Sequence, residues 1–251
     1  MPGVYCSGEA DEKHLSVITL VLLPGLDGTG DLFANLLPEF PDDMDVITVA
    51  YPKERFLPYS ELVTWLGDMV PKNRPYVLLG ESYGSPLAVK FAAMHPANLV
   101  GLILCVGFIS NPVRKWGGVP RLLSRPFFFR FQPPEFAMEY FIAGAGAPKN
   151  LKEAVKRARR SVSPAVLAAR ARAVIDCDAR EEIRQVNVPM LYIQAAEDRL
   201  VARECLDEIK RLHPQTISIS IKAPHLVLQT EPRAAASAIT QFLDAQCGRP
   251  T

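Results

Sequence analysis

Tyr76-Val-Leu-Leu79, then Gly80-Glu-Ser82-Tyr-Gly84, then Ser85-Pro-Leu-Ala-Val-Lys-Phe-Ala-Ala-Met94 form one continuous stretch of this 251-residue chain. The first piece is an unbroken apolar run, as in a strand buried on both faces, and the last carries apolar residues at helical spacing. Between them stands G-x-S-x-G in strand-turn-helix order. Such a turn is so tight that the positions two before and two after the serine have no room for a side chain, which accounts for Gly80 and Gly84. The hydroxyl of Ser82 is lifted clear of the sheet. The following helix, with Pro86 in its first turn, directs its positive N-terminal end at the same place. Taken alone the pattern also fits an ordinary strand-to-helix turn, so the reading depends on a base and an acid elsewhere in the chain.

Outward from this stretch the same type of apolar run recurs. Strands are predicted at 17–23, 44–50, 76–80, 99–107, 188–194 and 216–221, and helices at 31–39, 60–69, 85–94, 201–212 and 231–246. This alternation predicts an α/β fold with a mostly parallel sheet flanked by helices. It breaks between the strands at 99–107 and 188–194, where Pro, aromatic and basic residues replace strand-like runs. The predicted organisation is a core of residues 1–107 and 177–251 with a helical cap inserted at 108–176. Residues 108–175 hold thirteen Lys and Arg against three Glu. The overall charge of +1 therefore conceals a basic insertion on an acidic remainder.

Composition bounds the rest. With 49% hydrophobic and 22% charged residues the chain has ample material for a core and is neither disordered nor fibrous. Cys6, Cys105, Cys177, Cys205 and Cys247 are odd in number and form no CxxC pair, which argues against a zinc site or a disulfide framework and for a reducing compartment. The start, MPGVYCSGEADEKH, lacks a basic segment followed by a long apolar one, and the run at 17–23 is too short to cross a bilayer. A cytoplasmic location with no membrane span is expected.

Of four histidines, His14 precedes the first predicted strand, while His95 and His213 end helices and are each followed by Pro. His225 in Ala223-Pro-His-Leu226 follows the last strand, where a loop at the strand's C-terminal end stands above the sheet beside the serine. It is the candidate general base. Asp198 in Ala195-Ala-Glu-Asp-Arg199 follows the preceding strand and is the candidate for orienting the imidazole. Glu197 is a neighbour able to substitute; Asp176 and Asp178 follow no strand and are weaker rivals. An oxyanion hole requires two backbone N–H groups, expected from Tyr83 and from Leu26 in the loop Leu23-Pro-Gly-Leu-Asp-Gly-Thr-Gly30. That loop matches neither G-x-G-x-x-G nor the P-loop, so nucleotide binding is not indicated.

Oxyanion loop, GESYG, AEDR and APH, in that order, resemble the α/β-hydrolase superfamily. More narrowly, LPGLDGTGDLF, VLLGESYGSPLA and APHLVLQTEP resemble bacterial carboxylesterases related to pimeloyl carrier-protein methyl ester esterases, over about residues 17–242. Pro24-Gly25 stands where many relatives have His-Gly. The resemblance implies a serine hydrolase cleaving carboxylic esters of short to medium acyl chains through an acyl-enzyme, with neither metal nor cofactor. Thioesterase, acyltransferase and peptidase activities use the same triad, and a hydrolase-like binding protein is the non-enzymatic alternative. Two readings of the cap stay open. Phe127, Phe128, Phe129, Phe131, Phe136, Tyr140 and Phe141 either line an acyl pocket or merely pack cap on core. The basic charge either docks an acidic carrier protein or pairs with the acidic core. Nucleic acid is not expected as a partner, for no binding motif accompanies the charge.

Overall fold

A computed structural model describes residues 18–248. Thr19–Leu23 (β1), Asp45–Thr48 (β2), Tyr76–Glu81 (β3), Leu99–Cys105 (β4), Met190–Ala195 (β5) and Ile217–Ile221 (β6) form one sheet in the order β2-β1-β3-β4-β5-β6. Every neighbouring pair is parallel. Each expected strand is present, its ends shifted by no more than two residues. β1 and β3 are buried along their whole length, which is why they read as uniform apolar runs rather than alternating ones. The strand order reverses beside β1, and the C-terminal ends of β1, β3, β5 and β6 lead into the four loops carrying the candidate residues. In an open α/β sheet that edge is where ligands bind.

Helices Tyr59–Met69 (α1) and Gly84–Ala92 (α2) lie on the face whose core includes Tyr51, Leu62, Leu66, Leu78 and Tyr83. The 31–39 segment differs from expectation. It forms two 3-10 turns, Asp31–Asn35 and Leu37–Glu39, rather than one α-helix. Pro38 lacks the N–H that a continuous helix needs at that point and opens a new turn instead.

Between β4 and β5 the chain is helical: Val119–Leu123 (α3), Pro126–Phe129 (α4), Glu135–Met138 (α5), a π-helical turn at Glu139–Ala143, Lys149–Arg160 (α6), Pro164–Ile175 (α7) and Arg180–Ile183 (α8). Proline opens α3, α4 and α7 in their first turns, where its missing N–H costs nothing. Glu204–Leu212 (α9), Val227–Thr230 (α10) and Pro232–Gln246 (α11) complete the chain. The last of these buries Ala235, Ala236, Ile239, Phe242 and Leu243 against the second face of the sheet. Among the described residues no helix is long and apolar enough to cross a membrane.

Candidate active site

Ser82 has φ 48°, a left-handed conformation that a non-glycine residue adopts only where the surroundings force it. The forcing is visible at the flanking glycines. A Cβ on Gly80 would lie 2.6 Å from the Gly84 carbonyl oxygen, and one on Gly84 would lie 2.7 Å from that of Leu23. The elbow thus rises between β3 and α2 with its hydroxyl at the sheet edge.

The Ser82 Oγ lies 3.1 Å from His225 Nε2, and His225 Nδ1 lies 2.8 Å from an Asp198 carboxylate oxygen. With Nδ1–H donating to the carboxylate, Nε2 is left as the acceptor for the serine hydroxyl. The other Asp198 oxygen accepts from the N–H groups of Leu200 (2.7 Å) and Val201 (3.0 Å), which hold the carboxylate facing the ring. The imidazole is buried. Burial is the largest influence and disfavours its charged form, but the charge of Asp198, its hydrogen bond and Glu81 together outweigh it and raise the pKa above 6.5.

The rival residues are spoken for elsewhere. Asp176 pairs with Arg121 and Asp178 with Arg180; Arg180 draws the Asp178 carboxyl down to about 2. Glu197, although next to Asp198, does not make the bond to His225. His213 bonds Thr216 at the end of α9, His95 caps the chain after α2 with φ 54°, and His14 lies outside the described residues.

Leu26 and Tyr83 both border the space beside Ser82, and the carbonyls around their N–H groups are pinned. Tyr51 donates its hydroxyl to Pro24 O (3.2 Å) and Tyr59 to Tyr83 O (3.0 Å). Arg170, from α7, donates to Leu26 O (3.0 Å), Asp27 O (2.6 Å) and Pro52 O (3.0 Å). Its side chain is only 2% exposed, and a Cβ on Gly28, where φ is +67°, would collide with its guanidinium.

Glu81 is a second residue that sequence reasoning missed. Only 4% exposed, it accepts from Gln229 Nε2 (2.9 Å) and from the Gly25 backbone, tying the oxyanion loop to α10. Desolvation dominates and raises its pKa to about 7. The signal for Glu81 was a charged residue at the end of an otherwise apolar buried strand. Arg170 sits in the apolar run Pro164-Ala-Val-Leu-Ala-Ala-Arg-Ala-Arg-Ala-Val-Ile175 and was counted only as cap charge.

Two mainly apolar recesses meet at Ser82. One is roofed by Gln132, Pro133, Met138, Ile142, Val155 and Arg159 of the inserted segment. The other runs among Phe108, Val113, Ala171, Val174 and Val201. Of the two readings left open for the aromatic residues between Phe127 and Phe141, the acyl-pocket lining does not hold, for none of them lines either recess. Phe127, Phe128, Phe131, Phe136 and Tyr140 are exposed, while Phe129 packs beside Val162, Val166 and Leu167. The turns at α4 and α5 are too short to bury two faces at once, and it is Met138 and Ile142 that face inward.

Residues 60–223 match the family model described as serine aminopeptidase, S33. The chain is 28% identical over 178 residues to the biotin biosynthesis bifunctional protein BioHC of Cellvibrio japonicus, an alignment covering 67% of this chain and 35% of that protein. It is 29% identical over 144 residues to the chloroplastic phytyl ester synthase 2 of Arabidopsis thaliana, covering 51% of this chain and 20% of that one. The chain thus spans about a third or less of either relative. Solved structures with the same fold include MenH from S. aureus, with a TM-score of 0.74 and 18% identity over 90% of this chain and 93% of that one. An esterase from Exiguobacterium antarcticum gives 0.75 and 14% over 92% and 93%.

Proposed function

Because the chain belongs to the S33 serine aminopeptidase family of α/β hydrolases, we propose that it hydrolyses carboxylic esters through Ser82, His225 and Asp198. The observation that carries this reading is the hydrogen-bonded chain from the strained serine through a buried imidazole to a carboxylate held by two backbone N–H groups. Ser82 Oγ attacks the ester carbonyl while its proton passes to His225 Nε2. The tetrahedral oxyanion rests on the N–H groups of Leu26 and Tyr83. Its collapse breaks the ester bond, and the leaving alkoxide takes the proton from His225. Water then gives a proton to the same nitrogen as it attacks the acyl-enzyme; collapse of the second tetrahedral oxyanion breaks the acyl–Oγ bond, Ser82 Oγ takes the proton back from His225, and the acid is released.

Apolar recesses on both sides of Ser82 favour an ester with apolar acyl and alcohol parts, the acyl chain short to medium. A free α-amino group, as an aminopeptidase binds, calls for an available carboxylate. The two lining the recess under the inserted segment are engaged: Asp27 with Thr29, Glu81 with Gln229 and Gly25. A panel of p-nitrophenyl esters of graded chain length, beside thioesters and aminoacyl amides, tests the substrate class. A fluorophosphonate probe tests the nucleophile: it labels the wild-type protein and fails to label Ser82→Ala. Equal labelling of both, or turnover confined to the aminoacyl amides, would overturn the proposal.

A further inference from the structure

Of thirteen large apolar side chains exposed among the described residues, nine fall between Trp116 and Tyr140, so the exposure is concentrated on one stretch rather than scattered. Its centre has a defined support. Helices α3 and α4 both rest on α7, whose Val166, Leu167 and Ala168 are buried. Val119, Leu122 and Leu123 of α3, and Phe127 and Phe128 of α4, keep their side chains exposed. Phe131 extends the group, its ring 5.3 Å from that of Phe127.

The charges carried by the stretch itself have one sign. No Asp or Glu occurs from residue 116 to residue 134. Much of the basic surplus is consumed within the molecule: Arg114 and Lys115 pair with Glu208 and Glu204, Arg121 with Asp176, and Arg170 and Arg172 bind backbone carbonyls. Arg125 and Arg130, flanking the exposed phenylalanines, are themselves exposed and enter no ion pair among the described residues.

We propose that this face docks on an anionic lipid surface. Large apolar and aromatic side chains bordered by cations match an interface where acyl chains lie below anionic headgroups. A folded acidic protein would present hydrated carboxylates to the arginines and leave the phenylalanines uncovered. The face is also continuous with the site, since Gln132, Pro133 and Met138, next along the chain from Phe131, roof the recess over Ser82. Resting on the esterase reading for this step alone, the substrate is an apolar ester drawn from the lipid surface into that recess.

Flotation of the whole protein with phosphatidylcholine vesicles, with and without phosphatidylglycerol, tests the proposal. The wild type floats with the anionic vesicles and is released by added salt. Phe127→Ser/Phe131→Ser and Arg125→Glu/Arg130→Glu each lower the bound fraction at least about tenfold, while turnover of a water-soluble p-nitrophenyl ester stays unchanged. Ser82→Ala floats like the wild type, so loss of the esterase reading would leave this result standing. Wild type remaining with the unbound fraction, double variants floating undiminished, or capture by an acidic acyl carrier protein without vesicle binding would each overturn it.

Discussion

His225 reaches both its partners, and in the proposed mechanism its charge state sets when the site can work. Its pKa lies above 6.5, so the ring is protonated at acidic pH and cannot take the Ser82 proton. The acid limb of kcat/KM for a neutral ester is expected above pH 6.5, falling about tenfold per unit below the midpoint. Replacing Asp198 with Asn removes the largest influence raising that pKa and shifts the limb to lower pH, with a loss of kcat of several orders of magnitude. A limb unmoved in that variant would contradict the electrostatic role of Asp198. Glu81 titrates in the opposite sense for stability. Its folded pKa of about 7 exceeds the 4.5 of the free carboxyl, so between these values only the folded state holds the proton. Wild-type stability is therefore greatest below 4.5 on this account and declines as pH rises towards 7, by on the order of 3 kcal/mol. Glu81→Gln, which keeps a group able to bond Gln229, is expected to flatten that slope in denaturant melts between pH 4.5 and 8. That Ser82, His225 and Asp198 meet was legible in the sequence because each closes a strand-loop signal of its own. Glu81 was not, because its partners Gly25 and Gln229 are distant in sequence and meet only in the fold.

At the scale of elements, α7 and the loop after β1 are tied through one side chain. Arg170 supplies the donors for three carbonyls at the start of the oxyanion loop and beside it, and its guanidinium also lies over the rings of Tyr51 and Tyr83. Arg170→Met leaves those buried acceptors unpaired at a cost of about 3 kcal/mol. It also removes the anchor on the Leu26 carbonyl, in the peptide unit that directly follows the Leu26 N–H. A positioning role predicts that kcat falls at least about tenfold while KM changes little, with part of kcat restored by Arg170→Lys. A variant that lost stability but kept kcat would reduce Arg170 to a packing residue. The strands and the longer helices were readable because β1 and β3 are uniformly buried and α1, α2 and α11 hold a clear apolar face. The 31–39 segment was not, since its apolar residues follow helical spacing while Pro38 and Gly30 decide the backbone. The aromatic residues of the inserted segment left two readings open for a related reason: composition cannot tell which side of a one-turn helix faces the cavity.

Across the whole molecule, burial is distributed unevenly, and that predicts where it opens first. The sheet and its flanking helices hold the two large cores. The inserted segment is fixed to them by backbone bonds from Ser163 N–H to Lys53 O, Leu226 N–H to Ile142 O and Ala179 N–H to Ile109 O, by the Arg170 clamp, and by Ser110, Arg114 and Lys115 bound to α9, none of which involves α3 or α4. Within it, α6 and α7 are each twelve residues long and bury several side chains. Helices α3 and α4 have five and four residues and bury none of theirs. Helices so short have little stability of their own and rely on packing that these two have on one side only. Native-state hydrogen exchange is therefore expected to grade the molecule: amides of α3 and α4 exchanging through local opening, those of α7 later, and those of β1 and β3 only on global unfolding. Because Gln132, Pro133 and Met138 follow α4 and roof the recess, the same openings would set how readily the proposed ester substrate reaches Ser82. Anionic vesicles that seat α3 and α4 would slow exchange there and leave β3 unaltered. Protection of α3 and α4 equal to that of β3 in free protein would mean that the roof is rigid and that substrate enters by another route.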